Sequence, residues 1–330
     1  SLFTLIDTTF SLSNCEIEYQ EDNQDEHLED IWIFGRTSDL SISKLQFSRL
    51  KGATGNFLYL VDSTLYTKEL VLTNMEYQES SSLILITTSS SIEIHNSIFV
   101  AWENLISLTD VERVLISNSS IKFALGHTFT GIKINSVNDM LFEKVMINSE
   151  VIETKAMMDS LVWIKDIGTR IRIIDSKITN SNTINGALYF IASGSSYKFE
   201  LDRVNFTNNK ASGETGGAIT IAKSPYLSSG IMNNLVFDNN QGGRGGAIYI
   251  HSAPINFSNC SFTNNRAAFF GGAIYVMDIV PTFSTDCKAI GNRVGLRENH
   301  IGGEPITLER VSVDSVSQVQ IGRASCRERV

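Results

Sequence analysis

One tandem pattern limits the possible folds of this chain more than any other feature. Phe-x-x-Asn followed by Gly-Gly-Ala-Ile occurs three times between Phe206 and Ile274. Phe206 to Asn209 precedes Gly216, Gly217, Ala218 and Ile219. Phe237 to Asn240 precedes Gly245 and Gly246, and Phe262 to Asn265 precedes Gly271 and Gly272. A fixed period of roughly 27 residues, with Asn and Gly held in phase, marks a stacked architecture in which each unit buries its apolar face against the next. Such a rod is a scaffold, so function has to be argued from its surface.

Weaker copies extend the pattern through most of the chain. The unit apolar-x-apolar-x-turn-x-x-apolar can be laid end to end with turns at Asn14, Lys44, Asn74, Asn96, Asn118, Lys144, Asp175, Arg203, Asn234, Asn259, Asp286 and Arg310. Alternation on both sides of a polar pivot predicts two short strands meeting at a sharp corner. Asn and Asp suit that corner because they tolerate the left-handed backbone, and stacked amides can form a ladder along the axis. Two residues before the turn stand Leu12, Ile42, Leu72, Ile94 and Ile116, expected to lie directly atop one another. A third strand follows, as in Ile31–Phe34, Phe57–Leu60, Leu83–Ile86, Leu161–Ile164 and Ala187–Phe190. The expectation is an all-β, right-handed, single-stranded parallel β-helix of the pectin-lyase-like kind. It has about twelve rungs of three short strands, a rod of roughly 55–60 Å at the usual strand spacing. Residues 1–319 read as one such domain, a fragment cut at both ends, with the polar insertion Glu18–Asp30 as a loop.

Residues 320–330 stand apart. Ile321–Val330 is an abrupt basic run that resembles a translated sequencing adapter and is set aside from the fold. The formal charge is −9, and more negative without that tail, which argues against nucleic acid and anionic membrane surfaces as partners. No run of about 18 apolar residues is present, so direct membrane insertion of this segment is not expected.

The outward position of the third strand forms the most suggestive surface column. It reads Trp32, Tyr59, Leu85, Ser107, Lys133, Trp163, Tyr189, Thr220, Tyr249, Tyr275. Six of the ten are Trp or Tyr against 9% aromatic residues overall, so Trp32, Tyr59, Trp163, Tyr189, Tyr249 and Tyr275 are the candidate binding residues. Aromatic faces in line can stack on sugar rings or anchor a partner protein; they can also simply brace one another on exposed strands. Sequons at Asn118, Asn205, Asn256 and Asn259 would suit glycosylation of a secreted chain, or arise by chance in Asn-rich sequence.

Reaction chemistry is thin. Cys15, Cys260 and Cys287 each follow a turn residue and read as inward-packed thiols, with a Cys260–Cys287 disulfide as the alternative. No CxxC or Cys/His cluster supports a metal, and no cofactor motif is present. Asp159, Asp166, Asp175 and Asp202 are the carboxylates a carbohydrate-active β-helix enzyme could use, and Gly126-His127 is an incomplete motif.

Phe206–Val276, with its paired motifs, resembles the repeat of the chlamydial polymorphic outer-membrane proteins. A degenerate copy, Ile178–Ser181 with Gly186–Leu188, extends the likeness one rung earlier, whereas rungs before Ile178 lack the Gly pair. The resemblance implies an extracellular or cell-surface adhesin-like module without catalytic activity. Its partner would be a glycan or a host or cell-surface protein. The alternative is a polysaccharide lyase or glycoside hydrolase on the same scaffold. In either case Phe206, Phe237 and Phe262 should stack inward, and the Gly pairs should serve the backbone.

Overall fold

A computed structural model of the protein describes residues 3–18, 33–53, 56–77, 82–101, 104–124, 130–150, 158–191, 197–222, 224, 227–295, 297–298, 301–303 and 312–313. These form strands and turns with no helix, so none is long and apolar enough to cross a membrane. Each strand pairs in parallel with its counterpart one coil away: Ile116 lies between Ile94 on one side and Phe142 on the other. The single antiparallel pairing among them joins Arg293–Val294 to Arg297–Glu298. The result is a parallel β-solenoid. Trp32, most of Glu18–Asp30, Gly126-His127, Arg310 and Ile321–Val330 lie outside the described residues.

Three columns of left-handed residues turn the chain. Corner A runs through Asn14, Lys44, Glu69, Asn96, Asn118, Lys144, Asp175, Arg203, Asn234 and Asn259, with φ between 47° and 58°. Corner C follows the third strand, at Asp7, Thr37, Asp62, Thr88, Asp110, Ser136 and Asp166 and later at Ser252 and Asp278. Corner B occurs in the C-terminal coils, at Asn180, Asn208, Asn239, Asn264 and Gly291.

Corner A departs from expectation at one coil. Ser43 pairs with Lys68 and Gln46 with Val71, which sets Glu69, not Asn74, beside Lys44. Asn74 falls inside the strand Val71–Tyr77. Leu72 therefore does not join Ile94 and Ile116, although those two are partners. It sits between Phe47 and Phe99 in the column after the corner, while Thr67 takes the place between Ile42 and Ile94. Burying Leu72 between those two rings outweighs the preference of Asn for a left-handed backbone. Near the other end Phe283, not Ser284, lies beside Phe257, their rings stacked at 4.9 Å, and Asp286 has no left-handed backbone.

Inside, like stacks on like. The rings of Phe206, Phe237 and Phe262 lie 5.0 and 4.9 Å apart and within 7° of parallel. All three are buried, in a core otherwise dominated by Ile, Leu and Val.

The C-terminal coils contain a fourth short strand that the three-strand expectation omits. Asn182–Thr183, Lys210–Ala211, Gln241–Arg244, Arg266–Phe270 and Arg293–Val294 form a separate sheet. Corner B, just before it, carries two Asn side by side in three coils and Gly291-Asn292 in the next. The first residue has the left-handed backbone, with an exposed side chain at Asn208, Asn239 and Asn264; the second (Asn209, Asn240, Asn265, Asn292) is buried. The Asn240 Oδ1 accepts from the Asn209 backbone N–H and from Asn209 Nδ2, both at 3.0 Å, while Asn240 Nδ2 donates to Phe206 O at 3.0 Å. Asn265 and Asn292 repeat the scheme one and two coils on. The amide ladder expected along corner A is instead fullest here. At corner A it reduces to exposed links such as Asn259 to Asn234 and Asn234 to Asp202.

The Gly pairs connect that fourth strand to the third-strand face. Gly245 has φ of 74°, a region L side chains rarely adopt. Gly216 needs no such conformation; a Cβ there would lie 2.2 Å from Ile219 O and 2.6 Å from Tyr249 N. The motif thus serves close approach between coils as well as backbone freedom.

Candidate functional site

The third-strand face presents one unbroken register column: Thr4, Phe34, Tyr59, Leu85, Ser107, Lys133, Trp163, Tyr189, Thr220, Tyr249, Tyr275. The partner of Tyr59 is Phe34, so Phe34 takes the place assigned to Trp32. Its ring meets Tyr59 at 5.5 Å. Each of these aromatic side chains is half-buried.

Two aromatic segments stand out. In the first, Lys133 Nζ lies 5.5 Å from the centre of the Trp163 ring, and Trp163 pairs with Tyr189. Burial, then the Asp159 carboxylate, push the Tyr189 phenol above its ordinary range. Asp159 accepts from Asn185 Nδ2 at 2.5 Å. In the second segment Tyr249 and Tyr275 stack at 5.8 Å, and Phe270 meets Tyr275 at 5.8 Å. The Arg244 guanidinium lies over both Phe270 and Tyr275, at 5.9 and 5.8 Å, and is tied to Glu214 at 2.7 Å. His251 reaches Asp278 at 3.3 Å, and the Tyr249 hydroxyl donates to Met277 Sδ at 3.0 Å. Thr220 divides the two segments: it is buried, and its Oγ1 accepts from the Gly216 N–H at 3.1 Å.

Two coils match the Chlamydia polymorphic membrane protein repeat. The matched residues are 234–251 and 259–277, which contain the second and third Phe-x-x-Asn/Gly-Gly-Ala-Ile copies; the first copy lies outside them. No curated protein and no solved structure matches the chain. The repeat match therefore falls on the coils that carry Tyr249 and Tyr275.

Phe269, Phe270 and Arg244 enlarge this second segment without having been expected from the sequence. Their signal was positional: Phe269-Phe270 stands directly before Gly271-Gly272, where the preceding copies carry Glu214-Thr215 and Gly243-Arg244. Phe269 is 53% exposed, more than any other large apolar side chain among the described residues of the C-terminal coils.

The four candidate carboxylates do not converge. Asp166 is a corner C residue, whereas Asp175 and Asp202 lie at corner A, where Arg203 bonds to both. The Arg203 guanidinium holds the Asp175 carboxyl below the usual range. Asp159 belongs to the third-strand face. Cys260 and Cys287 are buried free thiols on adjacent coils, and Cys260 Sγ donates to Met232 O at 3.2 Å. The hydrogen bond shared with Cys287, and then burial, raise the Cys260 thiol.

Proposed function

We propose that this chain is an adhesin-like binding module of a surface or secreted protein, working through the third-strand face. One observation carries the reading. Half-exposed aromatic rings recur at one register position, Trp163 and Tyr189 beside Lys133, then Tyr249 and Tyr275 beside Phe270 and Arg244. Half-exposed flat rings with adjacent cations suit sugar rings or a partner's apolar anchor. The matched repeat supports a surface location.

A glycan array and a cell-surface protein pull-down, run with wild type and with the pairs Trp163→Ala/Tyr189→Ala and Tyr249→Ala/Tyr275→Ala, test it. The module reading expects capture by wild type and loss in at least one pair, with no product released. Release of shortened oligosaccharides would instead establish the enzyme. Capture undiminished in both pairs removes this face from consideration.

A further inference from the structure

Corner B and the fourth strand enclose a groove of about 630 Å³ that is unlike the rest of this acidic protein. Its lining holds cations and amides and no carboxylate. Lys210, Gln241, Arg266 and Arg293 occupy one register position on successive coils, all exposed. Adjacent coils place them about 4.8 Å apart along the axis. None of the three cations forms an ion pair among the described residues. Beside them run the exposed amides of Asn239 and Asn264, two rungs of the corner column. Asp238, the acidic neighbour of that column, accepts from Thr263 Oγ1 at 2.6 Å and from Asn264 Nδ2 at 3.4 Å.

We propose that this groove binds a linear acidic polysaccharide lying along the rod axis. A row of exposed cations on a protein of net charge −9 concentrates positive potential along this edge, most of it from Lys210 and Arg266, since Glu298 stands opposite Arg293 in the antiparallel pair. The row advances by about 4.8 Å per coil, on the scale of one sugar ring, so carboxylate or sulfate groups can meet Lys210, Arg266 and Arg293 while Gln241 meets a hydroxyl between them. Side-chain amides, which both donate and accept, match the hydroxyls between those charges. No aromatic residue lines the groove, which removes the stacking platform that single-stranded nucleic acid uses. The site is separate from the third-strand face, and it stands even if that face binds nothing.

The test uses the full chain and fluorescent oligosaccharides of one length: heparin fragments, oligogalacturonate and neutral dextran, with single-stranded DNA of matched charge. Binding is followed by anisotropy as NaCl is raised. Heparin fragments, oligogalacturonate or both should bind, dextran should not, and log Kd should rise with log salt with a slope of about two to three for three contacts. Arg266→Glu/Arg293→Glu should weaken binding about tenfold or more, the size expected for two exposed ion contacts. Arg266→Gln/Arg293→Gln, a milder change, should weaken it in the same direction, and removing two exposed cations elsewhere, Lys68→Gln/Lys198→Gln, should leave it nearly unchanged. Dextran binding as well as the acidic chains, DNA binding more tightly than both, or a folded Arg266/Arg293 variant with wild-type affinity would each overturn the assignment.

Discussion

Asn209 Nδ2 donates to Asn240 Oδ1 at 3.0 Å in a position closed to solvent, and the Asn209 backbone N–H shares the same oxygen. Asn240 Nδ2 in turn satisfies Phe206 O one coil back. Replacing Asn240 with Leu leaves a buried N–H and a buried carbonyl without partners, and should cost roughly 2–4 kcal/mol. Asn240→Asp keeps the acceptor but loses the donor and sets a carboxylate against Asn265 Oδ1. It should destabilise at neutral pH and recover part of that loss on acidification. Urea unfolding of the two variants checks both; a change under about 0.5 kcal/mol in Asn240→Leu would show the ladder is not structural.

Glu69 and Lys144 hold left-handed backbones, φ 58° and 53°, at places where other coils use Asn. A side chain without local hydrogen bonding pays for that conformation, so Glu69→Asn and Lys144→Asn should each stabilise by roughly 0.5–1 kcal/mol. Asn118→Val, at φ 47°, should destabilise, because branching at Cβ worsens the clash. Thermal melts would decide the sign, and no gain from either Asn substitution counts against the account of corner A.

Tyr197 is buried, and burial pushes its phenol up to about 12, against the opposing hydrogen bond to Ser224. The folded chain thus keeps a proton that the unfolded chain releases near pH 10. The linked stability is intact below pH ~10 and is lost as pH climbs to about 12, an effect on the order of 2 kcal/mol. Tyr197→Phe should flatten that alkaline decline without abolishing it, since Tyr189 and Tyr249 are shifted the same way. Equal declines in wild type and Tyr197→Phe would assign the effect elsewhere.

Cys260 and Cys287 are closed to solvent whereas Cys15 is only half-buried. A thiol-specific alkylating reagent should modify Cys15 in the native protein and reach Cys260 and Cys287 only after denaturation. Mass mapping of the peptides reads this directly. Rapid native labelling of Cys260 would place that coil in a looser state.

Much of the repeating architecture was legible because apolar spacing carries it. Ile94 and Ile116 could be aligned from sequence, as could Trp163 with Tyr189 and Tyr249 with Tyr275. Register failed where composition gave a false landmark. Asn74 looked like a corner and Glu69 did not, because propensity marks Asn while packing of Leu72 between Phe47 and Phe99 sets the position. A two-residue shift along the alternating strand exchanged Trp32 for Phe34. The buried ladder was visible only as an Asn doublet, whose second member points inward as the chain alternates past the corner. The cation row was present in phase, since Lys210, Gln241, Arg266 and Arg293 each directly follow the second residue of a corner, but only the fourth-strand pairing shows that they share one exposed edge.

The close likeness of the Phe206 and Phe237 coils bears on how the gene can change. Excising residues 206–236 would set Phe237 against Ile178, where Phe206 now lies, and Asn240 in the place of Asn209. Unequal crossing-over between these copies therefore shortens or lengthens the rod by whole units, and the new junction fits as the old one did. Rod length becomes a trait that recombination adjusts in discrete steps, independently of the identity of the outer side chains.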